Sequence, residues 1–191
     1  MNSRKDIVRC SWVSNDPLYV QYHDEEWGIP EYNSQKLFQM LCLEGQQAGL
    51  SWITILKKRQ NYNELFHNFD PYKIILLKET DVQDLLTNTG IVRHKGKIEA
   101  IINNARCYIE MKNRGVDFSD FIWNFVGNKP IINNWKSIQE VPSETEISKN
   151  LSSSLRKQGF KYVGSTICYA YMQACGLVND HIVDCIYRNK T

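Results

Sequence analysis

One carboxylate stands out because it falls on an apolar helical stripe. The segment from Ser34 to about Ala48 predicts a helix, and at about 100° per residue Leu37, Leu41, Glu44 and Ala48 share one face. An unpaired carboxylate on such a face is costly to bury. Two interpretations of Glu44 remain open: a hydrogen-bonded or salt-bridged core residue, and an acid that lines a functional pocket.

Aromatic residues flank this acid along the chain. Trp12, Tyr19, Tyr22 and Trp27 precede it, and Trp52 follows it closely. Each of them taken alone is explained as a core residue. Taken together beside a buried acid, they could form a slot in which a flat heterocycle stacks.

Four cysteine and histidine residues near the two chain ends could bind a metal ion. His181 and Cys185 are four positions apart and would share one face of a helix, whereas Cys10 and His23 lie near the other end. Zinc takes four such nitrogen and sulphur ligands in structural sites. The spacing alone does not establish a metal site, since core thiols and capping or surface histidines explain the same residues.

A basic turn bounded by glycines lies between two predicted helices. Gly90 and Gly96 enclose Arg93 and Lys95, and Lys97 follows. Free backbone N–H groups at such a turn, together with a helix N-terminus, suit a phosphate. The alternative is an ordinary helical hairpin with a solvated basic tip.

The elements that must position these residues are predicted to be helical almost throughout. The predicted helices span residues 34–48, 71–77, 81–88, 97–112, 118–126, 144–159 and 165–175, with Ser34, Thr80, Asp117 and Ser143 as candidate N-caps. Alternating strand patterns of any length are absent. The sequence therefore predicts one all-α domain over residues 1–191.

Composition limits the class of protein. The 191 residues are 42% hydrophobic and 12% aromatic, which excludes a disordered chain. The longest apolar run, residues 74–77, is far short of the roughly 20 residues that a membrane span needs, and no secretory signal is evident. We therefore expect a cytoplasmic protein. Because the net charge is only +2, any surface that binds nucleic acid must be local.

Four longer motifs occur in order along the chain. They are CSWV at 10–13, DPLYVQYHDEEWG at 16–28, LEGQQAGLSW at 43–52 and GSTICYAYMQACGLVNDH at 164–181. Together they resemble the 3-methyladenine DNA glycosylase I family, from about Arg9 to Cys185. The resemblance implies the helix-hairpin-helix DNA glycosylase fold, with that element at about residues 81–112. It also implies a structural Zn²⁺, held by Cys10, His23, His181 and Cys185, which joins the N- and C-terminal segments.

The implied activity is hydrolysis of the N-glycosidic bond of 3-methyladenine in double-stranded DNA. The base is flipped out, an abasic site remains, and free 3-methyladenine is the product. The family implies that Glu44 is the catalytic residue and recognises the base, and that Trp12, Tyr19, Tyr22 and Trp52 form or adjoin the pocket. The predicted DNA-contacting residues are Gln47, Gly49, Leu50, Gly90, Arg93, Lys95, Gly96 and Lys97. Ala170 replaces a serine that the family can carry near the pocket.

Two other functions remain open on the sequence. One is a helix-hairpin-helix module that binds DNA without catalysis, and the other is a glycosylase with a broader range of alkylated purines. A module that only binds has little reason to keep Glu44 on an apolar stripe. No lysine is convincingly placed as a Schiff-base nucleophile, so we expect a monofunctional enzyme that acts as a monomer.

Overall fold

Nine α-helices make up most of residues 7–190, the part of the chain that this computed structural model describes. They are α1 (Pro17–Glu25), α2 (Ser34–Gln47), α3 (Trp52–Leu65), α4 (Pro71–Ile74), α5 (Glu79–Thr87), α6 (Lys95–Asn113), α7 (Phe118–Trp123), α8 (Glu146–Lys157) and α9 (Ser165–Ala174). Short 3₁₀ turns span His67–Phe69, Asn124–Val126, Ile138–Glu140 and Arg188–Lys190. The prediction of a mainly helical protein is confirmed.

A short parallel β-bridge corrects the all-α prediction. Strand β1 (Ile131–Ile132) pairs with β2 (Val178–Asn179), with Ile131 opposite Val178. Strands of two residues are too short to produce an alternating pattern, so no sequence signal marks them. The bridge joins the segment before α8 to the segment after α9.

Several helix ends differ from the predicted caps. The side chain of Asn33, and not that of Ser34, caps α2 by accepting from the backbone N–H groups of residues 35 and 36. The Ser34 hydroxyl donates instead to the carboxylate of Asp117, which caps α7 as predicted. Thr145, and not Ser143, caps α8.

Four further boundaries differ by a few residues. Helix α5 begins at Glu79, so Thr80 lies inside it, and α6 begins at Lys95 instead of residue 97. The predicted helix at 71–77 ends at Ile74, and the one predicted to reach residue 126 ends at Trp123 and continues as a 3₁₀ turn.

Helices α1 and α3 were not predicted. Asp16 caps α1 and Pro17 opens it, but the helix buries only Tyr22 and His23. Helix α3 carries three consecutive cations at 57–59 and buries only three of its fourteen residues. Neither helix therefore has the broad apolar stripe on which a sequence-based prediction depends.

Helix α2 lies at the centre of the molecule and packs against α3, α6, α7 and α9. Its Leu37, Phe38, Leu41 and Leu43 are buried in the main core. A second, smaller core contains Cys10, Tyr22, Trp27, Leu56 and Cys185, and so joins the two chain ends. Within residues 7–190, no helix is both long and apolar enough to cross a membrane.

Candidate active site

Glu44 lies in the last turn of α2 on the wall of a pocket of about 400 Å³. The residue is only 4% exposed. Its carboxylate has no hydrogen-bond or ion-pair partner among the described residues, and burial raises its pKa to about 8. The paired core interpretation of Glu44 is therefore wrong, and the structure places the acid at a pocket.

The four aromatic residues predicted for the substrate site line this same pocket. Trp12 packs on Tyr19 with ring centroids 5.0 Å apart, and Tyr22 packs on Trp52 at 5.5 Å. Burial and the nearby carboxylate of Glu44 raise the pKa of Tyr22. The pocket thus combines aromatic walls with one unpaired acid.

Residues that the sequence does not connect with the pocket form the opposite wall. They come from the segment before α8 and from α9: Ile138, Val141, Pro142, Ser143, Thr166, Ile167, Tyr169 and Gln173, together with Ala170. Ala170 was noted only through the family resemblance. The other residues lie roughly a hundred positions from Glu44, and no local pattern connects them with it.

A buried carboxylate holds part of this opposite wall in place. Asp180 accepts hydrogen bonds at Oδ1 from Asn133 Nδ2 (2.7 Å) and Trp135 Nε1 (2.8 Å). Its Oδ2 accepts from the Tyr169 hydroxyl (2.6 Å) and from Gln173 Nε2 (2.7 Å). Two pocket side chains are therefore fixed by one fully hydrogen-bonded anion.

The four predicted metal ligands converge behind the aromatic wall. Cys10, His23, His181 and Cys185 are all buried, and their ligand atoms lie within 4.8 Å of one another. His181 Nδ1 is 3.6 Å from Cys10 Sγ and 3.4 Å from Cys185 Sγ, and His23 Nε2 is 3.6 Å from Cys185 Sγ. Tetrahedral zinc would require nitrogen–sulphur separations of about 3.5 Å. The cluster can hold a metal ion, and its geometry fits zinc.

The ring nitrogens of His23 and His181 that face away from the cluster make the hydrogen bonds typical of metal-binding imidazoles. His23 Nδ1 lies 2.7 Å from Asp24 Oδ1, and His181 Nε2 lies 3.0 Å from the Trp27 carbonyl oxygen. Arg9 in turn donates two hydrogen bonds to Asp24 Oδ2 and one to Oδ1. Such contacts fix the tautomer of a ligating histidine and orient its ring.

The cysteine–histidine cluster directly supports the pocket. The ring of Trp12 lies 5.3 Å from that of His23 and 4.9 Å from that of Trp27, between centroids. Trp27 also makes an edge contact with His181 at 4.6 Å. Trp12 and Trp27, which line the pocket, therefore pack against His23 and His181 of the cluster.

The basic turn, predicted between Gly90 and Gly96, spans residues 88–94 and connects α5 to α6. Arg93 and His94 in the turn and Lys95 at the start of α6 are exposed, and Lys95 pairs with Glu79 at 2.8 Å. Not every backbone N–H group of the turn is free to bind a phosphate, because the N–H of Gly90 donates to Asn88 Oδ1. The structure therefore provides an exposed basic tip with partly satisfied backbone donors.

The two glycines of the turn are explained by close packing. A Cβ at Gly90 would lie 2.7 Å from Cγ of Asn61. Gly96 lies in the first turn of α6, where a Cβ would come within 3.3 Å of the His94 ring and the Tyr162 hydroxyl. Neither glycine has a positive φ, so a preference for glycine at these positions comes from the space available and not from the backbone conformation.

The structure turns the ammonium of Lys97, predicted to contact DNA, inward and away from the surface. The residue is only 7% exposed. Its Nζ donates to the backbone carbonyls of Gln46 (2.8 Å) and Ala48 (2.7 Å). Charge and position along the chain suggested a surface lysine, but tertiary packing buries it.

The remaining predicted DNA-contacting residues lie at the end of α2 and in the turn that connects it to α3. Gln47 lines the pocket, and its Nε2 donates to the Leu50 carbonyl. Gly49 is exposed with φ of 77°, a conformation that favours glycine. Leu50 is 38% exposed. This turn connects two pocket residues, Gln47 and Trp52.

Comparisons with known proteins agree with this geometry. The family model described as methyladenine glycosylase matches residues 12–189. DNA-3-methyladenine glycosylase 1 of Escherichia coli (strain K12) is 58% identical over 179 residues, which cover 94% of this chain and 96% of that protein.

Solved structures are similar over nearly the whole chain. A crystal structure of 3-methyladenine DNA glycosylase I superposes with a TM-score of 0.93 at 59% identity, covering 94% of this chain and 98% of the other. A tyrosine-to-phenylalanine variant of such an enzyme, in complex with 3-methyladenine, gives a TM-score of 0.91 at 37% identity, covering 94% and 97%.

Proposed function

The chain belongs to the methyladenine glycosylase family, and we propose that it is a DNA glycosylase that excises 3-methyladenine from alkylated DNA. It hydrolyses the N-glycosidic bond of the flipped base and leaves an abasic site. The observation that carries this function is the unpaired, buried carboxylate of Glu44 in an aromatic pocket.

The charge of the substrate explains why an acid is placed there. Methylation at N3 makes the purine cationic, and a cation repays the cost of ionising a buried carboxylate. Neutral adenine offers no such compensation, so Glu44 favours the damaged base. Trp12, Tyr22 and Trp52 provide faces on which the purine can stack.

The reaction then needs little help from an acid at the leaving group. The bond between C1′ and N9 breaks with its electron pair moving onto the cationic purine, which leaves as neutral 3-methyladenine. Water adds to C1′ and releases a proton. None of the described residues that line the pocket is a lysine, which supports hydrolysis by a monofunctional enzyme because a Schiff base requires an amine.

DNA contact is proposed for two turns. The turn at 88–94 and the flanking helices form the helix-hairpin-helix element, and Arg93 and Lys95 meet the phosphate backbone. The turn from Gln47 to Leu50 faces the gap that the flipped base leaves. Leu50 presents an apolar side chain of the kind that proteins insert between bases.

A structural zinc ion is proposed for the cluster of Cys10, His23, His181 and Cys185. Two thiolates and two imidazoles complete a tetrahedral shell, so zinc here would join the chain ends and leave no open position for a substrate. We further propose that the protein acts as a monomer in the cytoplasm, as one domain with the helix-hairpin-helix element at about residues 81–112.

The test is base release from methylated duplex DNA, with the freed bases separated by chromatography. We expect 3-methyladenine and little 7-methylguanine from the wild type, and strongly reduced release from a folded Glu44→Ala variant. Release of both bases in quantity would indicate a broader alkylpurine glycosylase. DNA binding without any release would indicate a binding module and overturn the proposal.

A further inference from the structure

The buried ammonium of Lys97 closes the end of the helix that carries the acid. Helix α2 ends at Gln47, and Ala48 leaves it with a non-helical ψ of 115°. The last carbonyls of a helix lack partners within the helix. Lys97 Nζ donates hydrogen bonds to two carbonyls at this end, those of Gln46 and Ala48. A cation at this position also interacts favourably with the negative end of the helix dipole.

A second set of hydrogen bonds ties the same helix end to the basic turn. Gln46 Nε2 donates to the Lys97 carbonyl at 3.0 Å, so the two residues are bonded in both directions. The Tyr62 hydroxyl donates to Gln46 Oε1 at 3.2 Å and accepts from the Val92 N–H at 3.0 Å. Gln46 is 1% exposed and Tyr62 is fully buried. Helices α2, α3 and α6 and the turn at 88–94 therefore share one polar network in the interior.

The network lies between the pocket that contains Glu44 and the turn at 88–94 that we assign to DNA. Glu44 is two residues before Gln46 on α2, and Gln47 lines the pocket immediately after it. Arg93 follows Val92 in the turn that we assign to the DNA backbone. The distance from the phosphate contact to the acid thus depends on a connection that passes through Lys97, Gln46 and Tyr62.

We propose that Lys97 is a positioning residue that fixes the turn at 88–94 relative to Glu44, so that a nucleotide held by its backbone delivers its base to the acid. The inference rests on the proposed glycosylase function. It assigns Lys97 a role without any contact to phosphate or base. A misplacement of about 1 Å in such an arrangement can cost about 100-fold in rate.

The experiment compares three variants of the full chain, Lys97→Met, Arg93→Met and Lys73→Met. Lys73 is exposed on α4, outside the proposed site, and is the matched control. For each protein we would measure single-turnover excision at saturating DNA, the salt dependence of binding to methylated duplex, the affinity for free 3-methyladenine, and the Tm. Kinetics are recorded well below the Tm of the least stable variant.

We expect Lys97→Met to lower single-turnover excision at least about 10-fold, with the salt dependence of DNA binding and the affinity for free 3-methyladenine unchanged. Arg93→Met should weaken DNA binding and reduce the salt slope by about one. Lys73→Met should match the wild type in every measurement. Tyr62→Phe removes only the bridging hydroxyl and should lower single-turnover excision by a smaller factor, again with DNA binding unchanged. This variant tests the inference even if Lys97→Met does not fold.

Two results would overturn the inference. A reduced salt slope with an unchanged single-turnover rate in Lys97→Met would make Lys97 a phosphate contact. A lower Tm with unchanged rates in both Lys97→Met and Tyr62→Phe would make the network merely stabilising. Absence of excision by the wild type would instead refute the proposed function, and so the two failures are distinguishable.

Discussion

Replacing Glu44 by glutamine should make the protein more stable, by an amount that grows with pH. The side chain is 4% exposed and without a partner among the described residues. Burial raises its pKa from the ordinary value of 4.5 to about 8. Glutamine has the shape of the protonated acid but cannot ionise, so the variant isolates this one titration.

Proton binding in the folded and unfolded states determines whether stability rises or falls with pH. Between pH 4.5 and about 8 the folded protein holds a proton on Glu44 that the unfolded chain has released. Stability therefore falls as pH rises through this window. Since one pKa unit corresponds to about 1.4 kcal/mol, Glu44 lowers the free energy of unfolding by about 3 kcal/mol at pH 7 and by about 5 kcal/mol well above pH 8.

The assay is urea unfolding of the wild type and Glu44→Gln at several pH values, followed by tryptophan fluorescence. We expect the variant to be more stable by about 3 kcal/mol at pH 7, by less than about 1 kcal/mol at pH 5, and by more at pH 9. Glu64→Gln, at an exposed position on α3, is the matched control and should leave the pH dependence unchanged. A difference between wild type and Glu44→Gln that stays constant with pH would refute the reasoning.

Four further outcomes are expected. Cys185→Ser should lower the Tm by about 10 °C or more and abolish metal binding, measured by calorimetry and metal analysis, with a smaller effect on excision at low temperature. Gly176→Ala, with φ of 67° and a Cβ 2.3 Å from the Ile29 backbone, should lose more than about 3 kcal/mol in urea unfolding. In the same assay, Tyr169→Phe should lose about 1–3 kcal/mol, since Asp180 loses a donor. Leu50→Ala should slow excision from duplex DNA, while fluorescence titration with free 3-methyladenine shows unchanged affinity.

The acid could be identified from the sequence because the evidence for it is local. Leu37, Leu41 and Glu44 belong to one helix, and helical periodicity alone places them on one face. The cysteine–histidine cluster is different, since Cys10 and Cys185 come from opposite ends of the chain. Residue types suggested the four ligands, but their spacing could not show that they meet, and the ordered motifs of the family were needed to favour one site.

Other parts of the site depend on packing that no local pattern records. Lys97 follows two exposed cations, and nothing in its neighbourhood indicates that its ammonium turns inward to the end of α2. The wall formed by Ile138 and α9 meets Glu44 only through the tertiary fold. The two-residue bridge at Ile131 was missed because it is shorter than the repeat that would reveal it.

The position of the cluster at both chain ends has a consequence for the order of folding. Cys10 contacts His181 across 171 positions, and Trp27 contacts it across 154. Bringing Cys10 to Cys185 closes a loop of about 175 residues, and in the chain-entropy model this closure costs the chain about 5 kcal/mol. Contacts of such long sequence separation cost the most entropy to close. The helix that carries Glu44 can therefore form early, whereas the cysteine–histidine cluster behind the aromatic wall is complete only when the chain has closed end to end.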